Sequence, residues 1–237
     1  MLYQLASYFS PVGKSLIIAS SVLMVACAQQ PSIQSGSDAE KLGDNLYKID
    51  NANVKKAYVD PNADFSAYTK ILLAPLDLEN VAITQPSKGS FNNKEWTLDE
   101  RDKDTLRERY QAVMVKYLQE DKPDNPGYQI VTEAGEGVLL VSASIIALAP
   151  SAPKDDGRSR SIGRSHVFTQ SAGTMTIGLL VSDAQTGKSL ITAADQRSGW
   201  GAYSRNNRAT NLADVNLVFG NWANKLRHSL DHISDIM

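Results

Sequence analysis

The sequence contains one cysteine, few aromatic residues and little net charge. Cys27 is the single cysteine among 237 residues, so an internal disulfide is excluded and packing alone must hold the folded chain. The formal net charge is −2, which argues against the strongly basic surface that nucleic acid or an anionic membrane would attract. Aromatic residues make up 7% of the chain, and charged residues 21%. These values favour an ordinary globular protein and predict no nucleic-acid partner.

The one cysteine closes an apolar N-terminal segment. Residues 15–26 are apolar or small and follow Lys14, a pattern typical of a secretory signal peptide. The segment is shorter than the roughly 20 residues that a membrane-spanning helix needs. The three residues before Cys27, Met-Val-Ala, resemble the lipobox of bacterial lipoproteins, whereas the alternative for a lone cysteine is a buried free thiol. The sequence therefore predicts a signal peptide over 1–26 and an acylated Cys27 that anchors the chain in a lipid bilayer.

The predicted mature chain divides into a tether and one domain. Removing residues 1–26 deletes Lys14 and no acidic residue, so the formal charge changes from −2 to −3. Residues 27–53 are polar and are predicted to form the lipid anchor and a tether, while 54–237 has the length of a single domain. Ala28 stands where an aspartate would resemble an inner-membrane retention signal. Because alanine replaces that aspartate, the resemblance to bacterial lipoproteins implies an outer-membrane location facing the periplasm.

Apolar periodicity predicts both helices and strands. Segments 98–119 and 212–233 have the three- and four-residue spacing of amphipathic helices, and Thr97 and Glu100 have the spacing of a capping box. Strands are predicted over 69–76, 128–132, 137–149, 166–182 and 188–197. Residues 137–149 are apolar on both sides, which predicts a central strand covered on both faces. The order predicts an α/β fold of the α+β type, a single sandwich of a mixed, largely antiparallel sheet with two main helices packed on it.

Short motifs along this pattern resemble a known family. They are Tyr58-Val59-Asp60-Pro61, Ile71-Leu72-Leu73-Ala74-Pro75, the turn Ser182-Asp183-Ala184-Gln185-Thr186-Gly187, and Phe219-Gly220-Asn221-Trp222-Ala223. In this order they resemble a family of bacterial lipoproteins, the domain of unknown function 3313. The resemblance extends over nearly all of the mature chain. It implies a lipoprotein without an established activity, and it transfers no functional residues.

Three patterns bear on catalysis or metal binding. Residues 186–189, Thr-Gly-Lys-Ser, match the end of a phosphate-binding loop, but Ser182 stands where that motif requires glycine and the segment is predicted to be a hairpin turn. His228 and His232 are four residues apart and can share a metal, although they are predicted to lie on a solvated flank. His166 has no nucleophile motif around it. The sequence predicts no catalytic residue, metal or cofactor, with a periplasmic hydrolase or metal-dependent enzyme as the alternative.

The candidate binding surface has two parts. The first is a glycine-containing loop with four cations, Lys154, Arg158, Arg160 and Arg164. The second is a later connection with two aromatic residues, Trp200 and Tyr203. Clustered cations and exposed aromatics recognise anionic glycans or acidic protein faces. The sequence thus predicts a non-enzymatic envelope lipoprotein that binds or stabilises another envelope component.

Overall fold

The structure is a computed structural model, and it describes residues 29–86, 95–123, 125–152, 168–169, 171–199, 204–205 and 208–236. The strands, in chain order, are β1 Ser32–Ile33, β2 Lys41–Leu42, β3 Leu46–Asp50, β4 Lys56–Val59, β5 Lys70–Leu73, β6 Ala82–Ile83, β7 Gln129–Val131, β8 Val138–Pro150, β9 Phe168–Thr169, β10 Gly173–Asp183, β11 Ser189–Ser198 and β12 Ser204–Arg205. The helices are α1 Glu100–Leu118 and α2 Arg208–His232, followed by a short 3-10 turn over Ile233–Ile236. No helix within these ranges combines the length and the apolar character needed to cross a membrane.

The described strands form one large mixed sheet and one small pair. The main order is β1-β3-β4-β11-β10-β8-β5-β7, with β2 beside β3 and β6 beside β8. β5 runs parallel to β7 and β8, and β6 runs parallel to β8, whereas the other strands of this sheet pair antiparallel. The predicted mixed, largely antiparallel sheet with two main helices is confirmed.

Both helices pack on one face of the sheet, because their apolar stripes meet its inward side chains. α1 buries a residue at every fourth position, namely Leu106, Tyr110, Met114 and Leu118. α2 buries Val218, Phe219, Trp222, Leu226 and Leu230. The contacts advance together along the two helices, from the rings of Tyr110 and Phe219 to the hydrogen bond between Arg227 and the Leu118 carbonyl. The helices therefore run in the same direction.

Among the described residues, the other face of the sheet carries exposed apolar side chains. Leu180 on β10 is 38% exposed and Ile146 on β8 is 46% exposed. Small side chains also contribute to this face, among them Ser142, Ser144, Gly178 and Ala194. β8 lies between β10 and β5, so the predicted central position of this strand is confirmed. The predicted cover on both faces is wrong at Ile146, whereas the outward side chains of Leu140, Ser142 and Ser144 are half-buried. The physical reason is that both helices cover the inner face.

The N-terminal polar segment adds strands to the sheet. The sequence predicts a tether up to residue 53, but β3 pairs with β4 through Tyr47 and Val59, and Leu46 is buried. Ile33 and Ile49 also pack against the core. A strand of five residues in a polar segment is held by its pairing and a few buried side chains, so its own composition does not reveal it. The folded domain thus begins before residue 54.

Two local predictions are corrected by backbone details. The N-cap of α1 is Asp99 rather than Thr97. The Asp99 carboxylate accepts a hydrogen bond from the Asp102 amide at 2.9 Å, and the Asp102 carboxylate accepts one from the Asp99 amide at 3.4 Å. The predicted strand over 166–182 is also corrected, because the described residues form two strands, β9 and β10. Residues 171–172 belong to neither strand. Gly173, which opens β10, has a φ of +140°, and a Cβ there would lie 2.3 Å from the Ala149 carbonyl oxygen.

Candidate functional site

The predicted lipid anchor and binding surface lie outside the described residues. This holds for Cys27, Lys154, Arg158, Arg160, Arg164, His166, Trp200 and Tyr203. Two short strands follow these segments in the chain, β9 after the cationic loop and β12 after the aromatic connection. They pair antiparallel through Phe168 with Arg205 and Thr169 with Ser204.

A cleft of about 340 Å³, the loop-end cleft, lies where β8 ends and β10 begins. Its apolar lining comes from α1, the sheet and α2, and includes Leu98, Leu106, Leu148, Met175, Val215 and Val218. Asp214 at its edge accepts a hydrogen bond from the Ala172 amide at 2.6 Å. Gly199 also lines the cleft and precedes the aromatic connection directly. The cleft thus adjoins the chain that leads into the predicted binding surface.

The histidine pair of α2 lies on an exposed flank, as predicted. The rings of His228 and His232 are 4.5 Å apart between centroids, and His232 Nδ1 is 3.1 Å from an oxygen of Asp235. Both histidines are exposed. Within the described part of the chain, no group of three or more histidine, cysteine or acidic residues is arranged to hold a metal, and no hydroxyl hydrogen-bonds to either ring. The pair by itself provides neither a metal centre nor an activated nucleophile there.

The Thr-Gly-Lys-Ser motif forms the hairpin turn between β10 and β11. Gly187 has a φ of +73°, and the Asp183 carboxylate accepts hydrogen bonds from the Gln185 and Thr186 amides at 3.0 and 2.6 Å. Lys188 pairs with the buried carboxylate of Asp60 at 2.6 Å. Because strand, turn and strand follow one another without a helix, the turn lacks the strand-loop-helix geometry of a phosphate-binding loop. The predicted hairpin is confirmed.

A second cleft, which we call the α2 cleft, lies between the inner face of the sheet and the C-terminal half of α2. Its volume is about 240 Å³. Its walls are mainly apolar and include Ala57, Met114, Ile177, Leu179, Ile191, Ala193, Trp222, Leu226 and Ile233. Polar residues line it as well, among them Gln30, Asn53, Asp195, Lys225, His228, His232 and Asp235. Because these residues come from separate elements, sequence spacing gave no signal for this cleft.

Asp195 is a buried carboxylate in the wall of the α2 cleft. It accepts hydrogen bonds from Trp222 Nε1 at 3.2 Å, Lys225 Nζ at 3.1 Å and Arg197 Nε at 3.0 Å. Its other oxygen accepts from the Lys55 amide at 3.2 Å. Burial raises the pKa of this carboxyl, but the bonds from Lys225 and Arg197 outweigh burial and hold the pKa below its usual value. The ion therefore ties β11 to α2 and to the chain before β4.

Tyr110 contributes a neutral side chain to the same wall. Its ring meets Phe219 edge-on at 5.7 Å between centroids. Its hydroxyl is buried and has no hydrogen-bond partner within the described residues. Burial raises the pKa of this hydroxyl, so it stays protonated at neutral pH. The α1 side of the cleft consequently carries no charge at Tyr110.

Arg227 is a fully buried cation that the sequence patterns did not single out. Its guanidinium donates to Asp231 at 2.7 Å and to four backbone carbonyls. These carbonyls belong to Leu118, Glu120, Asn125 and Pro126, and the cation also lies 5.4 Å from the Tyr128 ring centre. Because the end of α1 and the following loop supply the acceptors, Arg227 joins α2 to them. Its role is structural, since every interaction is internal to the fold.

The fold defines an α+β sandwich with two helices on one face of a mixed sheet. A sequence model of the family described as "Protein of unknown function (DUF3313)" matches residues 42–226. The chain therefore belongs to this family, which confirms the resemblance noted in its motifs. The match begins within the segment predicted to be a tether.

Solved structures provide two further comparisons. The crystal structure of protein XCC0632 from Xanthomonas campestris, of the family DUF330, is 10% identical with a TM-score of 0.40, and the alignment covers 72% of this chain and 90% of that chain. A PelC dodecamer from Paraburkholderia phytofirmans is 9% identical with a TM-score of 0.35, and covers 72% of this chain and 94% of that chain. No curated protein matches this sequence.

Proposed function

We propose that this protein is a non-enzymatic binding module, tethered to an envelope membrane through an acylated Cys27, that takes an apolar ligand in the α2 cleft. The observation that carries the proposal is the apolar wall of this cleft, formed by side chains such as Ile177, Leu179 and Trp222. Binding sites for small molecules are concave and mostly apolar, with a few polar groups at defined positions. The α2 cleft has this character.

The polar groups of the cleft support binding rather than catalysis. Asp195 is engaged by Lys225, Arg197 and Trp222, so its carboxylate already has fixed partners inside the protein. His232 pairs with Asp235 on the exposed flank. A general acid or base must reach the reacting group of a substrate within hydrogen-bond distance. Within the described residues, the enclosed part of the cleft offers apolar contact instead.

The predicted partners of the cationic loop belong to the same proposal. An envelope protein or an anionic glycan would dock near the loop-end cleft, because Gly199 lines this cleft and directly precedes the aromatic connection. The α2 cleft and the loop-end cleft have no lining residue in common. The module can therefore hold a ligand at one place while a second envelope component binds at the other. An outer-membrane location facing the periplasm is part of the proposal.

Replacing Cys27 with serine is expected to move the protein from the membrane fraction to the soluble fraction, because the acceptor of the acyl chains is removed. Cell fractionation followed by immunoblotting measures the change. Ala28→Ser is the matched control, since it alters the neighbouring residue and keeps the thiol. Continued membrane fractionation of Cys27→Ser would show that the anchor is assigned wrongly.

Leu179→Glu is expected to weaken binding of the apolar dye Nile red at least about tenfold, because a carboxylate in the apolar wall retains water. Leu180→Glu is the matched control. Its side chain points to the opposite, open face, so affinity should stay within about twofold. Fluorescence titration of the mature chain carrying Cys27→Ser, exported by a non-lipoprotein leader, measures both. Equal affinities for the two variants would refute binding in the α2 cleft.

A further inference from the structure

We infer that the α2 cleft holds a single acyl chain of a membrane lipid, with the lipid headgroup outside at the exposed histidine flank. This inference rests on the proposed function, because it names the ligand class of the same cleft. Three properties carry it: the extent of the cleft along α2, the polarity of its walls, and the position of its rim relative to the chain terminus.

The first property is shape. Residues that line the cleft extend along α2 from Trp222 to His232, about 15 Å of helix at about 1.5 Å per residue, and continue into the 3-10 turn as far as Ile236. The cavity volume is about 240 Å³, just below the roughly 300–1,000 Å³ of clefts that enclose drug-sized ligands. A small volume spread over this length gives a narrow channel. A channel of this kind fits one extended hydrocarbon chain better than two chains.

The second property is the polarity of the walls. Ile177, Leu179 and Ile191 present only hydrocarbon to the cleft. The buried carboxylate of Asp195 is already bonded to Trp222 and cationic side chains. A ligand with polar groups along its length would lose water there and gain few partners in return, which is costly. A hydrocarbon chain has no hydrogen bonds to lose by entering, and it removes the apolar walls of the cleft from water.

The third property is the position of the rim. His228, His232 and Asp235 are exposed and line the cleft, so a headgroup there stays hydrated beside polar side chains. Gln30 also lines the cleft. Cys27 precedes Gln30 by three residues, and three residues of fully extended chain span at most about 11 Å. An acylated Cys27 would therefore hold the rim close to the bilayer, where lipid chains are abundant.

Other occupants of the cleft make different predictions. An acyl chain of Cys27 itself would fill the cleft in the lipidated protein and exclude bilayer lipid. An occupant without an acyl chain would bind in the absence of lipid. The experiment therefore compares the lipidated protein in a bilayer with the unlipidated mature chain carrying Cys27→Ser.

The test uses nanodiscs of phosphatidylethanolamine and phosphatidylglycerol that contain a phosphatidylcholine with a photoreactive diazirine in one acyl chain. The lipidated full-length mature protein is reconstituted, irradiated and digested, and mass spectrometry maps the cross-links. Cross-links are expected on peptides that contain Met114, Leu179 or Trp222. Ala193→Phe narrows the cleft and should lower their yield at least about tenfold, because each CH₂ kept from burial weakens binding about fourfold.

Ala194→Phe is the matched control, since residue 194 points to the open face, and its yield should stay within about twofold of the wild type. Equal yields in the two variants, or cross-links confined to peptides outside the cleft, would overturn the inference. The Cys27→Ser chain is mixed with the same nanodiscs and irradiated in the same way. Cross-links in that chain but not in the lipidated protein would also overturn the inference, in favour of the protein's own acyl chain as the occupant. If Nile red binds in the cleft while the photoreactive lipid does not, the inference fails and the proposed function stands.

Discussion

Replacing Arg227 with methionine is expected to lower the free energy of unfolding by about 3–5 kcal/mol, the cost of removing one partner from a buried ion pair. Methionine fills part of the space and removes the guanidinium at 2.7 Å from the Asp231 carboxylate, which keeps its ion pair with Lys122 at 3.1 Å. It also leaves four carbonyls at the end of α1 and in the following loop without their donor. Urea unfolding followed by circular dichroism measures the loss.

Two further variants make this result specific. Arg227→Lys keeps the charge but cannot reproduce the planar fork, so a smaller loss is expected. Arg107→Met removes an exposed arginine that pairs with Asp104 at 3.2 Å, and it should change stability by less than about 0.5 kcal/mol. If Arg227→Met unfolds within about 0.5 kcal/mol of the wild type, the buried guanidinium does not stabilise the fold.

Arg227 also marks the limit of sequence analysis for this chain. Apolar spacing identified α2 correctly, because Trp222, Leu226 and Leu230 recur at four-residue steps and are buried together. The same spacing gave no reason to single out Arg227, the cation next to Leu226. The acceptors of Arg227 are backbone carbonyls about one hundred positions earlier in the chain. Because every residue has such a carbonyl, the residue types there do not reveal the contact. A buried arginine and an exposed one look alike until the tertiary structure is known.

The strands likewise divide into those that the sequence predicts and those that it does not. β8 and β10 are long and mainly apolar, and the hairpin turn from β10 to β11 has its own signal in Asp183 and Gly187, so periodicity and turn chemistry identified these strands. β3 was missed because it lies in a polar segment and depends on pairing with β4. β5 beside β8 is a parallel pairing between distant segments, and such pairings follow from the whole topology. The α2 cleft depends on the same non-local pairings, which is why the sequence placed its candidate binding surface elsewhere, in the cationic loop and the aromatic connection.

Asp195→Asn is expected to lower the free energy of unfolding at pH 7 by about 2 kcal/mol, in the range of a hydrogen bond to a charged group. Asparagine keeps the size of the side chain but removes the charge that Lys225 and Arg197 share. Both cations then lie beside a neutral amide, and Lys225 is mostly buried. Urea unfolding from pH 8 down to pH 3 measures the difference between the variant and the wild type.

The pH dependence follows from the direction of the Asp195 pKa shift. Because the pKa in the folded protein lies below its usual value, and an unfolded aspartate titrates near about 3.9, the charged carboxylate stabilises the fold fully above that value. As the pH falls through the lower, folded pKa, the carboxylate protonates and this contribution is lost. The gap between wild type and Asp195→Asn should therefore be constant from pH 8 to about pH 5 and shrink in more acidic solution.

Asp104→Asn provides the matched control for this pH profile, because Asp104 also pairs with an arginine but lies on the exposed surface. Its gap from the wild type should stay within about 0.5 kcal/mol at every pH. A gap for Asp195→Asn that stays constant down to pH 3 would contradict a stabilising, ionised carboxylate in the α2 cleft. A gap that closes only in acid would mean that the ionised Asp195, in the polar wall of the cleft, holds β11 on α2. Its remaining surface is then free for apolar contact, as a hydrocarbon ligand requires.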